Sequence, residues 1–236
     1  MRIDKLISEM GLASRKEADK AARNGMLFVN GEMQKDVSRH IDPEKDAIVF
    51  CGNEIKYRQF VYILMNKPKG VVSATEDGRD KTVLDLLSDE YSSFDLFPCG
   101  RLDKYTTGLI LLTNDGDLAH RLLSPKRHVK KAYSYTCQSP LSDEDAQKLQ
   151  EGVFIEGGYK TKPCSVIKED QTHGKIVIDE GKYHQIKQMF GACQNKITEL
   201  CRISFGPLSL PKDLKDGEYR ELTEEEISAL IAASGR

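Results

Sequence analysis

The chain lacks a long apolar segment. None of its apolar runs approaches the roughly 18 to 20 residues that a membrane-spanning helix needs. The opening stretch, MRIDKLISEMGLASRKEADK, contains no apolar core framed as a signal peptide. The sequence therefore predicts a cytoplasmic protein with no membrane partner.

Cysteine is sparse and scattered. The six cysteines form no Cys-x-x-Cys pair and no cluster with histidine. This spacing supports neither a zinc knuckle nor a disulfide framework. We expect small buried side chains at these positions and no metal site.

Several catalytic signatures are also missing. The sequence contains no G-x-S-x-G, no Walker A loop, no G-x-G-x-x-G and no set of histidines and cysteines at metal-binding spacing. These absences argue against phosphoryl transfer and against redox chemistry on a bound cofactor. We therefore predict a reaction that needs no cofactor.

Charge is nearly balanced but unevenly distributed. The chain has 35 Lys or Arg residues and 37 Asp or Glu residues, for a net charge of −2. A uniform distribution would argue against a nucleic-acid partner, but the local pattern matters more than the sum. Residues 118–142 include five Lys or Arg residues, two histidines and no acid. That segment is a candidate surface for phosphate groups.

The N-terminal region has the pattern of two helices and a small sheet. Apolar residues at positions 3, 6, 7 and 10 have helical spacing, and Gly11 ends the helix. Ser14 and Glu17 form a capping box that predicts a second helix ending at Asn24. Asn30–Gly31 predicts a hairpin turn, and DAIVF a further strand.

The second helix carries a basic face, because Lys16, Lys20 and Arg23 lie at helical spacing. Such a face is either solvated or turned toward a phosphate backbone. The opening RIDKLISEMGLASRKEADKAARNGMLFVNG, with its R-x-D-K, S-R helix and V-N-G turn, resembles the S4 RNA-binding module. The resemblance covers residues 1 to about 50 and implies that these three residues and Arg15 bind RNA.

The polar segment GNEIKYRQ predicts a linker, which divides the chain into residues 1–58 and 59–236. Beyond it, FVYILMNKPKGVVSAT predicts a buried strand, a turn and a second strand, and TVLDLL a short helix. TGLILLT, KAYSYTC, KPCSVIKED and GKIVIDEG are typical of strands, and DLAHRLLSP and DEDAQKLQEG of helices. In KYHQIKQMFGACQN, helical spacing turns His184, Lys187 and Gln188 away from the core.

CGRLDKYTTG places a lone acid, Asp103, just before the most apolar strand of the chain. An unpaired buried charge costs roughly several kcal/mol, so this carboxylate must be held or used. Taken alone, Asp103 and Arg101 could form a solvated loop pair. Tyr133 and Lys187 likewise have ordinary explanations when taken alone, as a strand aromatic and a solvated helix residue.

Taken together, three motifs occur in the order of one enzyme family. GRLDKYTTGLILLTNDGDLAHRL, KKAY and EGKYHQIKQMF, followed by ELCRISFGPL, resemble the RsuA-type pseudouridine synthases, and the match extends from MRIDK to DGEYRELTEEEI. The resemblance implies an α+β fold, with an S4 module of the α-L type and a catalytic domain on a mixed, largely antiparallel sheet. It also implies that Asp103, Tyr133 and Lys187 are catalytic.

The implied chemistry suits these residue types. Conversion of uridine to pseudouridine breaks the C1′–N1 bond, rotates the uracil and rejoins it through C5. An ionised carboxylate must act at the sugar, so we expect Lys187 to lie against Asp103, to favour its charged form and to orient it. Tyr133 would stack on the flipped base or remove the C5 proton.

The RNA must also be gripped, because flipping a nucleotide costs roughly a few kcal/mol. Arg101 is suited to wedge where the base leaves the stack. The residues that we assign to RNA binding in this part of the chain are Arg101, Thr107, His184, Gln185, Leu200, Arg121, Arg127 and Lys131. Gln188 stands where the family commonly has a second basic residue, so we expect a weaker electrostatic grip there.

The resemblance favours ribosomal RNA as the partner, and specifically uridine 516 of 16S rRNA. Sister groups that act on large-subunit RNA often carry long basic C-terminal tails, which are not seen here. A large-subunit synthase and a non-catalytic RNA-binding assembly factor are the alternatives, and a sugar hydrolase would want a second carboxylate. We expect a monomer.

Overall fold

The chain folds as two compact units. The computed structural model describes residues 1–235. One unit comprises Met1–Val61 together with Ser88–Asp95, and the other comprises Tyr62–Leu87 and the chain from Leu96 onward. No helix within the described residues is long and apolar enough to cross a membrane.

The first unit packs two helices on a small sheet. Within the described chain it contains α1 (Ile3–Glu9), α2 (Arg15–Arg23), β1 (Leu27–Val29), β2 (Glu32–Met33), β3 (Ile48–Phe50) and β4 (Asn53–Glu54). The strands are antiparallel, in the order β2-β1-β3-β4. Ile3, Leu6 and Ile7 of α1 and Ala18 and Ala22 of α2 lie in one buried core. The helical spacing of these apolar residues is thereby confirmed.

Local signals set the start of α2 and the first hairpin. Ser14 Oγ accepts a hydrogen bond from Glu17 N at 3.3 Å, and the Glu17 carboxylate accepts one from Ser14 N at 2.8 Å. The predicted capping box is therefore present. Asn30 and Gly31 have φ angles of 52° and 82°, which is the type I′ conformation that an Asn-Gly pair favours.

The segment predicted as a linker begins inside the sheet, and this part of the prediction was wrong. Asn53–Glu54 pairs with Val49 and Phe50 of β3. The two strands are joined through Cys51 and Gly52, with φ angles of 50° and 82°. Cysteine rarely occupies a left-handed turn position, so the sequence carried no recognisable hairpin signal there.

The second unit is built on a mixed sheet. Its described strands are β5 (Tyr62–Lys67), β6 (Phe97–Pro98), β7 (Thr107–Thr113), β8 (Lys131–Cys137), β9 (Phe154–Ile155), β10 (Tyr159–Lys160), β11 (Ser165–Lys168), β12 (His173–Ile178), β13 (Ile197–Phe205), β14 (Leu208–Ser209) and β15 (Tyr219–Glu221). The main order is β11-β12-β8-β13-β7-β5-β15, while β9 and β10 form a separate hairpin. Among the described strands of this sheet, β13 and β7 alone pair in parallel. The predicted fold class is confirmed.

The helices of this unit are α3 (Gly116–Leu123), α4 (Asp143–Glu151), α5 (Gln185–Ala192) and α6 (Glu224–Ala233). Two predicted elements differ from the structure. The short helix expected in TVLDLL is a single 3-10 turn, Leu84–Leu86. The strand expected after Gly70 is reduced to one bridge between Val72 and Thr82, because the backbone there pairs with a loop instead of the sheet.

Strand β7 is the centre of this unit and leads directly from the loop that carries Asp103. Leu109 and Leu111 are fully buried, in a core with α3 and α6. At Gly108, φ is 98° and a Cβ would collide with the backbone of Arg202 on β13. This close approach fixes the start of β7 against its parallel neighbour.

Candidate active site

Asp103 lies in a tight turn between β6 and β7. Thr106 N donates to the Asp103 carbonyl at 3.0 Å, which closes a turn over residues 103–106. The Asp103 side chain is 27% exposed, so it is accessible yet partly desolvated. The turn therefore leaves the Asp103 carboxylate accessible just before the start of β7.

A buried lysine donates hydrogen bonds to the backbone of this turn. Lys67, the last residue of β5, is fully buried, and its Nζ donates to the carbonyls of Thr106 (2.9 Å), Pro68 (3.0 Å) and Lys104 (3.3 Å). Burial lowers the pKa of Lys67 to about 8, an effect that the negative charge of Asp103 partly opposes. The sequence prediction missed Lys67, although a lysine at the end of an otherwise apolar strand, YILMNK, was a usable signal.

Helix α5 and the residue before it bring Lys187 and His184 to Asp103. Lys187 Nζ donates to Asp103 Oδ2 at 2.7 Å, and His184 Nε2 lies 3.4 Å from Oδ1. Thr106 Oγ1 also donates to Oδ2, at 3.5 Å. The predicted contact between Lys187 and Asp103 is present. Because two donors reach Oδ2, Oδ1 is the oxygen left more open to a ligand.

The turn before α5 is shaped by a buried carboxylate. Glu180 Oε1 accepts from Gln185 Nε2 at 2.7 Å and from Lys162 N at 3.0 Å. Gln185 Oε1 in turn accepts from Lys182 N at 2.8 Å, and His184 adopts the left-handed conformation with φ 48°. Gln185 is therefore buried with both ends of its amide engaged. It positions the turn, which corrects its assignment as an RNA contact.

Tyr133 lies on β8, in the middle of the sheet. It is 7% exposed and stands opposite Arg202 of β13 and Ile176 of β12. Arg202 pairs in turn with Gly108 of β7, five residues after Asp103. Neighbouring strands are about 4.8 Å apart, so the backbones of residues 133 and 108 are separated by about 10 Å.

Comparison with known proteins identifies the family. The profile of RNA pseudouridylate synthases matches residues 61–192, and the S4 domain profile matches residues 1–48. The chain belongs to the RNA pseudouridylate synthase family. It is therefore an enzyme with pseudouridine synthase activity on RNA.

Similar proteins span this synthase almost completely. The chain is 50% identical to uncharacterized RNA pseudouridine synthase YtzG of Bacillus subtilis, over 98% of both chains. It is 39% identical to ribosomal small subunit pseudouridine synthase A of Escherichia coli, over 98% of this chain and 100% of the relative. A crystal structure of a pseudouridylate synthase aligns with a TM-score of 0.69 and 37% identity, covering 98% of this chain and 99% of that one.

The synthase has a cavity of about 340 Å³ that is lined mainly by β8 and β13, with one residue of β7 next to the Asp103 turn. Thr107 and Leu200, both predicted to contact RNA, lie in its wall. Lys69 and Glu199 also line it and approach each other at 3.4 Å. This volume is at the lower end of the range for small-ligand pockets.

The predicted RNA-binding cations of the second unit fall into two groups. Arg101 and Arg127 are exposed, Arg121 is half-buried, and none of the three forms an ion pair within residues 1–235. Lys131 differs, because its Nζ donates to the Val129 carbonyl at 3.3 Å. Its Nζ also lies 5.8 Å from the Phe205 ring centroid, and burial lowers the pKa of Lys131. Its assignment to the RNA surface is therefore corrected to an inward-facing residue.

In the first unit of the synthase, the basic face of α2 is exposed. Arg15, Lys16 and Lys20 point to solvent. Arg23 is also exposed but pairs with Asp19 at 2.7 Å, one helical turn away. The four residues keep the accessibility that RNA binding requires, and their role stays a prediction.

Proposed function

We propose that this synthase converts one uridine of small-subunit ribosomal RNA, uridine 516 in 16S numbering, with Asp103 as the catalytic carboxylate. The names of the Escherichia coli relative and others like it support the choice of RNA. The observation that carries the catalytic assignment is the pairing of a partly exposed carboxylate with Lys187 at 2.7 Å.

The reaction is an isomerisation, so its atoms balance without a co-reactant. The C1′–N1 bond breaks, and its electron pair leaves with the uracil. Asp103 Oδ1 compensates the positive charge at C1′, by bonding to the sugar or by electrostatic stabilisation. The uracil then rotates, and C5 bonds to C1′; where Asp103 had bonded to the sugar, that bond breaks in this step and its electron pair returns to the carboxylate. The C5 proton is then lost and N1 is protonated.

The surrounding side chains have separate tasks in this scheme. Lys187 pairs with Asp103 Oδ2 and orients the carboxylate, while His184 flanks Oδ1. The nearly buried ring of Tyr133 would pack against the flipped uracil. Alternatively, its phenol oxygen would accept the C5 proton. Glu180 acts through Gln185 by fixing the turn that carries His184.

The domains divide the work. Residues 1–58 bind RNA as an S4 domain with its linker, and residues 59–236 catalyse. We place the enzyme in the cytoplasm with ribosomal RNA as its partner, acting as a monomer without a cofactor.

The deciding experiment maps pseudouridines on the small-subunit and the large-subunit ribosomal RNA in cells that lack the gene. Wild-type protein should restore a single missing site on the small-subunit RNA, and Asp103→Asn should not. Purified Asp103→Asn should lose at least about 10⁴-fold in kcat while still binding RNA. Restoration by Asp103→Asn would overturn the catalytic role. A missing site on the large-subunit RNA, or none at all, would indicate a different substrate or an assembly factor.

A further inference from the structure

A second cavity lies at the end of α3. Its volume is about 310 Å³, and it is lined by His120, Arg121, Ser124, Lys126 and Arg127. Three of the five side chains are permanent cations, and no acid is among them. Within residues 1–235, none of these three cations forms an ion pair with a carboxylate. A cluster of this kind is unusual in a chain whose net charge is −2.

The C-terminal helix holds this cavity in shape. Arg121 Nε donates to Ser234 Oγ at 3.2 Å, and Ser234, which is fully buried, donates to the Ile231 carbonyl at 2.7 Å. A Cβ at Gly235 would collide with Arg127 Nη1, so the chain just after α6 also lies against the second guanidinium. Arg121 is thereby pre-organised by its bond to Ser234, which reduces the entropy lost when it binds a ligand.

The electrostatics of the cavity favour an anion. Like charges around one cavity repel each other and raise the local potential, and an anion relieves this repulsion. Guanidinium groups match phosphate oxygens with paired, charge-assisted hydrogen bonds. The volume admits a phosphate group and several waters, since a water takes about 30 Å³ of liquid volume.

The last turn of α3, which contributes Arg121 to the cavity, also packs on the chain near Asp103. A Cβ at Gly100 would be 2.9 Å from Leu123 Cδ2, so the last turn of α3 packs on the chain three residues before Asp103. Three residues span at most about 10 Å. A strand of RNA with its uridine at Asp103 is therefore long enough to place a neighbouring phosphate at the end of α3.

We propose that the cavity binds one backbone phosphate of the substrate RNA, close to the target uridine, and so anchors the strand while the nucleotide is flipped. This inference rests on the proposed function. The proposal assigns phosphate binding to one discrete site instead of the whole basic segment 118–142. His120 and Lys126 belong to this site, whereas the inward-facing Lys131 does not.

The chain offers a matched control for this idea. Arg127→Gln and Lys130→Gln each remove one exposed positive charge, three residues apart, but only Arg127 lines the cavity. The affinity of each variant for a small-subunit rRNA transcript is measured over a series of KCl concentrations. Arg127→Gln should raise Kd about tenfold and reduce the slope of log K against log salt by about 1. Lys130→Gln should change both by less than half as much, and equal effects would overturn the proposal.

Arg121→Lys tests the geometry of the site. This variant keeps the charge but loses the fork and its bond to Ser234. Kd should rise about threefold with little change in salt slope, because the number of charges is the same. An affinity equal to that of the wild type would contradict a site with paired hydrogen bonds.

Titration with inorganic phosphate at constant ionic strength separates the two possible sources of the phosphate group. For a backbone site, phosphate should compete with RNA only weakly, and Arg127→Gln should abolish that competition. Saturable phosphate binding combined with unchanged RNA binding in Arg127→Gln would assign the cavity to a free phosphate compound and overturn the proposal.

Pseudouridine formation by the same variants keeps this inference distinct from the proposed function. Arg127→Gln should raise KM far more than it lowers kcat, whereas Asp103→Asn should abolish kcat. If the wild type modified no small-subunit uridine, the proposed function would fail. The comparison of Arg127→Gln with Lys130→Gln in RNA binding would still decide whether the cavity is a phosphate site.

Discussion

The cations around Asp103 and those on α2 of the first unit differ in burial and in whether they have fixed hydrogen-bond partners. Lys67 and Lys187 have fixed partners at 2.7 to 3.3 Å, and Lys67 is entirely buried. Lys16 and Lys20 on α2 are exposed. The difference teaches that charges that position a carboxylate or a turn need fixed geometry, whereas charges suited to a polyanion act through number and accessibility.

Of the replacements that test this comparison, that of Lys187 should have the largest effect on activity. Lys187→Met removes the donor at 2.7 Å from Asp103 Oδ2 and leaves His184, whose Nε2 lies 3.4 Å from Oδ1, beside that carboxylate. We expect kcat to fall by about 10²- to 10³-fold, a loss typical of removing one fixed electrostatic contact.

The measurement is pseudouridine formation at saturating RNA between pH 5.5 and 9. Lys187→Arg serves as the control, because it keeps the charge and should retain more activity than the methionine variant. A Lys187→Met enzyme with the rate and pH profile of the wild type would remove this residue from the mechanism.

Replacing Lys67 should lower stability with a particular pH dependence. Lys67→Met leaves the carbonyls of Thr106 and Pro68 without their donor, while the Lys104 carbonyl keeps its bond from Gly70 N at 2.8 Å. At about 1 kcal/mol or more for each lost donor, we expect a loss of about 2 kcal/mol at neutral pH. The unfolded chain keeps this proton up to its ordinary pKa of 10.5, but the folded protein releases it above about 8. Folding therefore releases a proton between these values, and wild-type stability relative to the variant rises with pH by up to about 3 kcal/mol.

Urea unfolding of both proteins at pH 7 and pH 10 measures this effect. Taking the difference between the proteins cancels the other groups that titrate in the same range. A stability difference that stays constant with pH would show that Lys67 keeps its ordinary ionisation in the fold.

The smallest effect is expected on α2. Lys16→Gln combined with Lys20→Gln should weaken RNA binding a few-fold and reduce the salt slope by about 1 to 2, because each residue offers one phosphate contact. KM should rise more than kcat falls. Fluorescence anisotropy with the rRNA transcript checks this, with Lys45→Gln of the same unit as a control, since Lys45 is bound to Asp42 at 3.0 Å. An equal loss in the control would remove the special role of α2.

The sequence predicted what depends on local pattern. The capping box at Ser14, the Asn30–Gly31 turn and the apolar strand β7 follow from contacts between near neighbours in the chain, and all three are present. The pairing of Asp103 with Lys187, 84 residues apart, was expected because the family resemblance supplied information that spacing could not.

The sequence failed where the tertiary environment reverses a residue's usual behaviour. Lysine is ordinarily exposed, so neither the burial of Lys67 nor the inward turn of Lys131 follows from residue type. Gln185 lies in a motif associated with substrate, yet its amide is used by Glu180 and the backbone. Whether a polar side chain faces the ligand or the scaffold is decided by the elements that pack around it.

Gly108 sets a limit on how this enzyme can diversify. Even one added methyl group there would meet the backbone of Arg202 and force β7 away from β13. The distance between β7 and β13 next to the Asp103 turn is thus a fixed dimension that single substitutions at Gly108 cannot increase gradually. A related enzyme that selects a different uridine must therefore acquire its new preference in the loops and cavities around these two strands, while the distance between them stays the same.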